Sequence, residues 1–504
     1  MKSVKNPRFI AYRNMKSSVI FFLNSHWLLV NYRLVFKKVL PDSMQWLIIV
    51  FAGWMVIGSC NKETLIIREP GDTIRTKEIE MVEEYIDLSS VIYLTSRHIT
   101  ENTKWSSAKK ILISGRIYID SNVTLTIDAG TLIQGLVSTN AAIIVKRGAQ
   151  IFIQGTAAQP VVFTSSALPD WRNPGDIGGF LLCGSAPVNY NGNNLQILTD
   201  SNICCGGNSS GDNSGIIQYL RIEFAGNFAS DVDEMGGLTL AGTGNGTVVD
   251  HVQVSYSNDD SFGWKGGTVN CRNLVSYKCR DDDFDTDLGY TGVVQFGVAV
   301  RDKGLYELTE NSSGIESDND YNGSLNTPNT QPVFSNISLF GPKISDTASG
   351  IPSAFQAGVY LRRGTMLRLY NSVIAGWPYG LRIQPGTANN AQNNATGSTL
   401  RVRHCVLAGN TIPFYSSFDS AFYDNPAYGN IGDSTLASLH TDTSIYSSAH
   451  PVFLPGSSCF ILTGADFTEL LSYPEISVTG YKGAFGTTAW TAGWAVFDPE
   501  SMNY

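Results

Sequence analysis

Two stretches decide the fold: HVQVSYSNDDSF, His251–Phe262, and RNLVSYKCRDDDF, Arg272–Phe284. They are variants of one pattern. Aligning Val254-Ser255-Tyr256 with Val275-Ser276-Tyr277 gives an offset of 21, and aligning Asp259-Asp260-Ser261-Phe262 with Asp281-Asp282-Asp283-Phe284 gives 22. Gly358 in GVYLRR and Gly380 in GLRI are again 22 apart. A unit of this length holds two or three short strands and cannot bury its apolar face alone, so it must stack on its neighbours as one turn of a solenoid.

The surrounding chain agrees. From Ile111 onward apolar residues alternate, as at Val123, Leu125 and Ile127 and again at Ile143, Val145, Ile151 and Ile153, with Gly, Asn and Asp turns between. That is the period of a strand, and long amphipathic helices are absent. Asn273, Asn336, Asn371 and His404 each stand just before an apolar strand. Asn tolerates the left-handed bend a solenoid corner needs, and stacked Asn side chains can bond along the stack. The spacings between these four exceed 22, which implies inserted loops or intervening turns without the Asn. A leucine-rich repeat would need its own Leu/Asn consensus, and a barrel or propeller would need longer hairpins.

The reading is therefore all-β, a parallel β-helix over residues 106–504, with a C-terminal cap from about residue 440 whose aromatic-rich end, Tyr481–Tyr504, covers the open end. Residues 60–105 form a tether and lead-in segment, and residues 1–59 a leader that is removed. In that leader Arg33, Lys37 and Lys38 precede an apolar run, Trp46–Gly58, too short to span a bilayer comfortably. The run ends in Ile57-Gly58-Ser59-Cys60, which resembles the lipobox of bacterial lipoproteins. That resemblance implies lipidation at Cys60, and the following Asn61-Lys62-Glu63 resembles a surface-export signal.

The net charge of −9 and the lack of a basic stripe speak against nucleic acid. With Cys60 lipidated, seven of the eight cysteines remain, an odd number that argues against complete pairing. Cys183, Cys271, Cys279 and Cys405 read as small core residues; a Cys271–Cys279 or Cys204/Cys205 disulfide is the alternative. No CxxC, HExxH, GxSxG or P-loop pattern stands in a supporting context.

Four stretches are similar to a Bacteroidetes family of right-handed parallel β-helix lipoproteins and secreted proteins: Gly236–Asn270, Asp281–Asp302, Gly314–Pro328 and Gly483–Pro499. The resemblance covers most of the chain from about Thr100. It implies a pectate-lyase-like fold in a cell-envelope protein, and it brings no assigned catalytic set.

Function turns on RDDDFDTD, Arg280–Asp287, with five carboxylates in eight residues of a chain only 16% charged. At an offset of 22, Asp259-Asp260 lie over Asp281-Asp282, and rungs are about 4.8 Å apart. Asp285 and Asp287 extend the corner, Glu316, Asp318 and Asp320 supply a further tier, and Lys265, Arg280 and Arg301 border it. Three chemistries fit. Asp281, Asp283, Asp285, Asp287, Asp318 and Asp320 are candidate ligands of Ca²⁺, which takes six to eight oxygens; DNDYNG, Asp318–Gly323, resembles the start of an EF-hand loop but lacks its closing Glu. Asp259, Asp260, Asp281, Asp282 and Asp283 are candidate acid/base residues of a glycoside hydrolase, crowding being what raises a carboxyl pKa. A lyase would pair Ca²⁺ with Lys265, Arg280 or Arg301 as base. The alternative is that Asp simply bends and caps turns. Trp264, Trp377, Tyr360 and Tyr379 are candidates for a sugar-stacking platform. Two functions stay open: a face that binds polysaccharide or an envelope protein, the membrane being engaged only through the lipid, or a polysaccharide lyase or glycoside hydrolase.

Overall fold

The computed structural model describes residues 90–504, apart from 191, 199–202, 227–234, 308–310, 387–388, 441 and 448, together with the backbone of strands between residues 17 and 80. It divides into two units, residues 1–89 and 90–504. In the first, Ser17–Leu23 pairs antiparallel with His26–Tyr32, and Lys62–Arg68 with Ile74–Glu80. The apolar run Trp46–Gly58 and Cys60 lie outside the described residues. No helix among the described residues is long and apolar enough to cross a membrane.

The second unit is a parallel β-helix with three walls. Long strands supply two walls each because they bend midway at a residue with positive φ. Gly215–Glu223 bends at Tyr219, Val248–Ser255 at His251, Asn270–Tyr277 at Asn273, Val293–Val300 at Phe296 and Val333–Phe340 at Asn336, with φ between 50° and 62°. Farther on the bend separates two strands outright, at Asn371 between Arg368–Tyr370 and Val373–Ala375, and at His404 between Arg401–Arg403 and Val406–Ala408. The four corner residues read from the sequence thus form part of one ladder. Their irregular spacing has both expected causes: Phe296 takes the corner on a rung without Asn, and between Val300 and Val333 long loops flank the third-wall strand Ile315–Ser317.

The third wall runs through Gly179–Cys183, Leu238–Ala241, Phe262–Lys265, Phe284–Asp287, Ile315–Ser317, Ala357–Leu361 and Tyr379–Ile383, each parallel to the next. Its register stacks Phe180, Leu238, Phe262, Phe284, Ile315, Val359 and Leu381 in one inward column, all no more than 1% exposed. Each such side chain contributes about 1.5–3 kcal/mol of burial. Trp264 and Trp377 are fully buried beside this column, so they are core residues and not a sugar platform. Trp264 is two residues from Phe262 and shares its inward face.

The 22-residue register holds, with Val252 opposite Leu274 and Phe262 opposite Phe284. The identical Val-Ser-Tyr triplets do not face each other; Val254 pairs with Ser276 and Ser255 with Tyr277. An offset of 21 would have turned one strand inside out, because side chains alternate faces.

Three boundaries and pairings differ from the sequence reading. The solenoid begins at Val91, not near residue 106, because Val91–Ile99 pairs in parallel with Lys110–Ile119. Cys183 is disulfide-bonded to Cys205, tying the intervening loop to the third wall, while Cys271 and Cys279 are free thiols. The C-terminal segment does not cover the open end. There the short helix Ser417–Tyr423, with a capping box between Ser416 and Asp419, packs on Tyr379–Ile383 and Ile412–Phe414. The residues after Ser434 instead return as a strap that packs on the first wall at Val293, Val333 and Tyr370 and runs along the second wall. Asn371 bonds both peptide groups of Asp466, Gln295 those of Ser477 and Gln253 those of Val496, at 2.7–2.9 Å. Tyr504 ends the strap by donating to Glu223 at 2.7 Å while Arg221 donates to its hydroxyl at 3.0 Å. The physical reason is the apolar outer face of that wall, Val275, Val298, Val300, Phe340, Val373 and Val406, buried against Phe453, Phe485, Trp494 and Phe497 of the strap.

Candidate active site on the third wall

The outward column next to the core column reads Leu181, Thr239, Gly263, Asp285, Glu316, Tyr360 and Arg382. Two residues on, Lys265 lies opposite Asp287. The turns that lead into these strands carry the other carboxylates, so the acidic residues of successive rungs meet along one edge.

At that edge Asp259, Asp260 and Asp281 place a carboxylate oxygen each within 4.8 Å of one another. Asp260 Oδ1 accepts the Asp282 amide at 3.1 Å, across 22 residues of chain. Asp282 in turn accepts the Ser313 amide at 2.5 Å. Burial, and then the carboxylates of Asp259, Asp285, Asp281 and Asp282, hold Asp260 well above the usual carboxylate range. Burial, followed by Glu316 and Asp285, does the same for Asp282. Neither has an ion-pair partner among the described residues, unlike the carboxylates below them.

Lys265 pairs with Asp285. Burial opposes the Lys265 charge, but Asp285, Asp287 and Asp260 outweigh it and hold the ammonium protonated well above its ordinary value. Asp287 is pushed up to about 7, chiefly by burial against the opposing pull of Lys265. Arg362 bonds Glu316 and reaches both oxygens of Asp318 at 2.9 Å, and Arg363 adds a third contact to Asp318 at 3.0 Å.

Several expected site residues have other work. Asp283 is fully buried, accepts from Ser276 at 2.5 Å and Cys279 at 3.2 Å, and faces Arg301 Nε at 3.6 Å. Arg301 is 1% exposed, donates to the carbonyls of Cys279 and Asp281, and lies between the rings of Phe355 and Trp377. Buried ionic groups of this kind fasten a turn and reach no substrate. Arg280 donates to Asn258 at 2.6 Å. Asp320 caps its own turn through the amides of Asn322 and Ser324. Asp318 is spent on two arginines. Asp283, Asp318 and Asp320 therefore leave the Ca²⁺ ligand set, and Asp283, Arg280 and Arg301 the catalytic set. What remains together is Asp259, Asp260, Asp281 and Asp282, with Lys265, Asp285 and Asp287 beside them.

Sequence reasoning missed Arg362, Gln356, Arg382 and Tyr415. The 22-residue spacing of GVYLRR and GLRI had already set Tyr360 over Arg382. Tyr360 is 5% exposed and Tyr379 is half-buried, so of the four expected platform aromatics only Tyr379 borders open space, in a cleft of about 510 Å³ with Tyr415.

Comparison with curated proteins and with solved structures finds no match. A family profile described as a pectate-lyase like beta helix domain matches residues 97–430, more than half of the chain. By that match, and by the parallel three-walled stack it spans, the chain belongs to the pectate-lyase-like β-helix family.

Proposed function

We propose that this protein acts on polysaccharide at the outer face of its third wall, with Asp260 as general acid and Asp285, paired with Lys265, as its counterpart, and that Cys60 anchors it by lipid to the cell envelope. The observation that carries the reading is the pairing of opposites in one small region. Asp260 has acidic neighbours and no ion pair among the described residues, Lys265 being held by Asp285, which favours the protonated form. Asp285, one rung along from Gly263, has its charge balanced by Lys265. Two carboxyl groups in such different surroundings can divide the acid and base tasks of glycosidic bond cleavage. The protonated state of Lys265 weighs against its service as the base of a lyase.

A second reading has its own support. Asp259, Asp260 and Asp281 offer oxygen atoms close enough to share one Ca²⁺, the donor type that cation prefers. When bound there, Ca²⁺ would neutralise negative charge on a substrate sugar.

The test is product release from a panel of neutral and uronate-containing polysaccharides by the full chain, with Ca²⁺ or with chelator. Turnover that survives chelator and is lost in Asp260→Asn and Asp285→Asn supports the acid/base reading. Turnover abolished by chelator moves Asp260 to the cation. Binding without turnover, unchanged in both variants, reduces the wall to a recognition surface and overturns the enzymatic proposal.

A further inference from the structure

Arg362 and Arg382 stand close together at the end of the acidic column, and their surroundings differ. Arg362 is neutralised by Glu316 and Asp318. Arg382 makes no ion pair among the described residues. Its guanidinium lies 4.4 Å from the centre of the Tyr360 ring and 4.1 Å from that of Tyr415, and Nη1 donates to Gln356 Oε1. Gln356 is held in turn by donating to Asn311 at 2.8 Å. An arginine flanked by two rings and tied at one nitrogen has lost its rotamer freedom before any ligand arrives, so an anion meeting it is spared that ordering cost.

The cation opens on the cleft of about 510 Å³ lined by Ile351, Gln356, Tyr379, Arg382, Ile412 and Tyr415. Tyr415 and Ile412 are each 47% exposed, and the Tyr379 and Tyr415 rings meet edge to face at 5.0 Å. Aromatic surface beside a fixed donor fork is what a sugar ring carrying an anionic substituent requires: an apolar platform for the ring and paired N–H groups for the charge. Register puts Tyr360 next after Glu316 and Arg382 next after Tyr360, so the cleft lies about two rungs, roughly 10 Å, along the wall from Glu316.

We infer that the Tyr379–Arg382–Tyr415 cleft is a recognition subsite for an anionic substituent, carboxylate or sulfate ester, on a glycan chain whose reacting bond lies at the acidic end of the wall. This rests on the proposed function for the position of the chemistry, but the subsite is tested by binding alone. The net charge of −9 sharpens it: the protein repels a polyanion overall, so selection of one requires a local, unbalanced cation.

The experiment is calorimetric titration of the full chain with three matched oligosaccharide sets: uronate-containing, carboxyl-reduced neutral, and sulfated. Wild type is expected to bind at least one anionic set about tenfold or more tightly than the neutral set, with the preference shrinking as salt is raised. The uronate and sulfate arms tell which substituent is read. Arg382→Gln should erase the preference, Arg382→Lys should restore only part of it, and Tyr415→Ala should weaken all sets alike. Asp260→Asn, a variant of the proposed catalytic residue, should keep the preference while turnover falls. Equal affinity for charged and neutral sets in wild type, or a preference that survives in a folded Arg382→Gln variant, overturns the inference. Anion preference without turnover in any set sinks the proposed chemistry and leaves the subsite standing; turnover of neutral glycan without preference does the reverse.

Discussion

The second and third walls are built on the same backbone and the same inward stack, yet their outward columns have opposite fates. On the second wall the column Glu223, Ser255, Tyr277, Val300, Phe340, Ala375, Ala408 becomes apolar along its length, and the chain returns to cover it. On the third wall the column Thr239, Gly263, Asp285, Glu316, Tyr360, Arg382 becomes charged, and its far end opens on a cleft. In a stacked fold the interior sets stability generically. The outward parity of each wall decides whether it is a core awaiting a partner from its own chain or a surface awaiting a ligand.

Trp494→Ala strikes the covered wall where the effect should be largest. The side chain is 1% exposed and packs on Tyr219 and His251, so its loss should cost about 3–5 kcal/mol in chemical denaturation. A change within experimental error would mean that the strap is not part of the folded unit. On the open wall, Asp260→Asn should lower turnover by roughly 10²–10⁴-fold and leave the unfolding midpoint unchanged or higher, since it removes a crowded, partly buried acid. If the same variant unfolds the protein instead, the open wall is as structural as the covered one and the contrast fails.

Smaller effects refine the comparison. Gln295→Ala removes two bonds to the peptide groups of Ser477 and should cost about 1–3 kcal/mol, which denaturant midpoints can resolve. Different in kind is the pH effect of Asp287, whose folded pKa of about 7 lies above the ordinary 3.8. The folded state then holds this proton more tightly than the unfolded state, so its stabilising contribution is present in acid and fades as pH rises through about 7. Asp287→Asn should flatten that part of the stability profile between about pH 4 and about pH 7. Identical slopes in wild type and variant would show that Asp287 titrates as an ordinary exposed carboxylate.

The repeat and its corners were legible in the sequence because both are local patterns. The Asp pairs at an offset of 22 gave the true register, whereas the identical Val-Ser-Tyr triplets suggested one residue less and would have reversed a face. Asn273, Asn336, Asn371 and His404 announced the bend, since left-handed φ restricts residue type. The acidic edge was legible to the same extent: Asp259, Asp260 and Asp281 do meet. Which of its carboxylates face outward was not, because strand parity does not extend through a turn, and so Asp283 and Arg301 looked like site residues when they lie inside. The strap was hidden for another reason. Gln253 and Val496 are 243 residues apart, and nothing local in Tyr481–Tyr504 distinguishes a cover for an open end from a cover for a wall. Arg382 was overlooked because its importance lies in making no ion pair among the described residues, a property of the packed structure alone.

The central claim is that the third wall keeps Asp260 protonated at neutral pH beside an Asp285 that is paired with Lys265. Difference infrared spectroscopy of the full chain against its Asp260→Asn variant reads this directly in the carboxyl stretching region. The account predicts a protonated-carboxyl band at neutral pH that the variant lacks and that fades only on raising the pH further. A spectrum in which Asp260 contributes only carboxylate bands at neutral pH and below would contradict it.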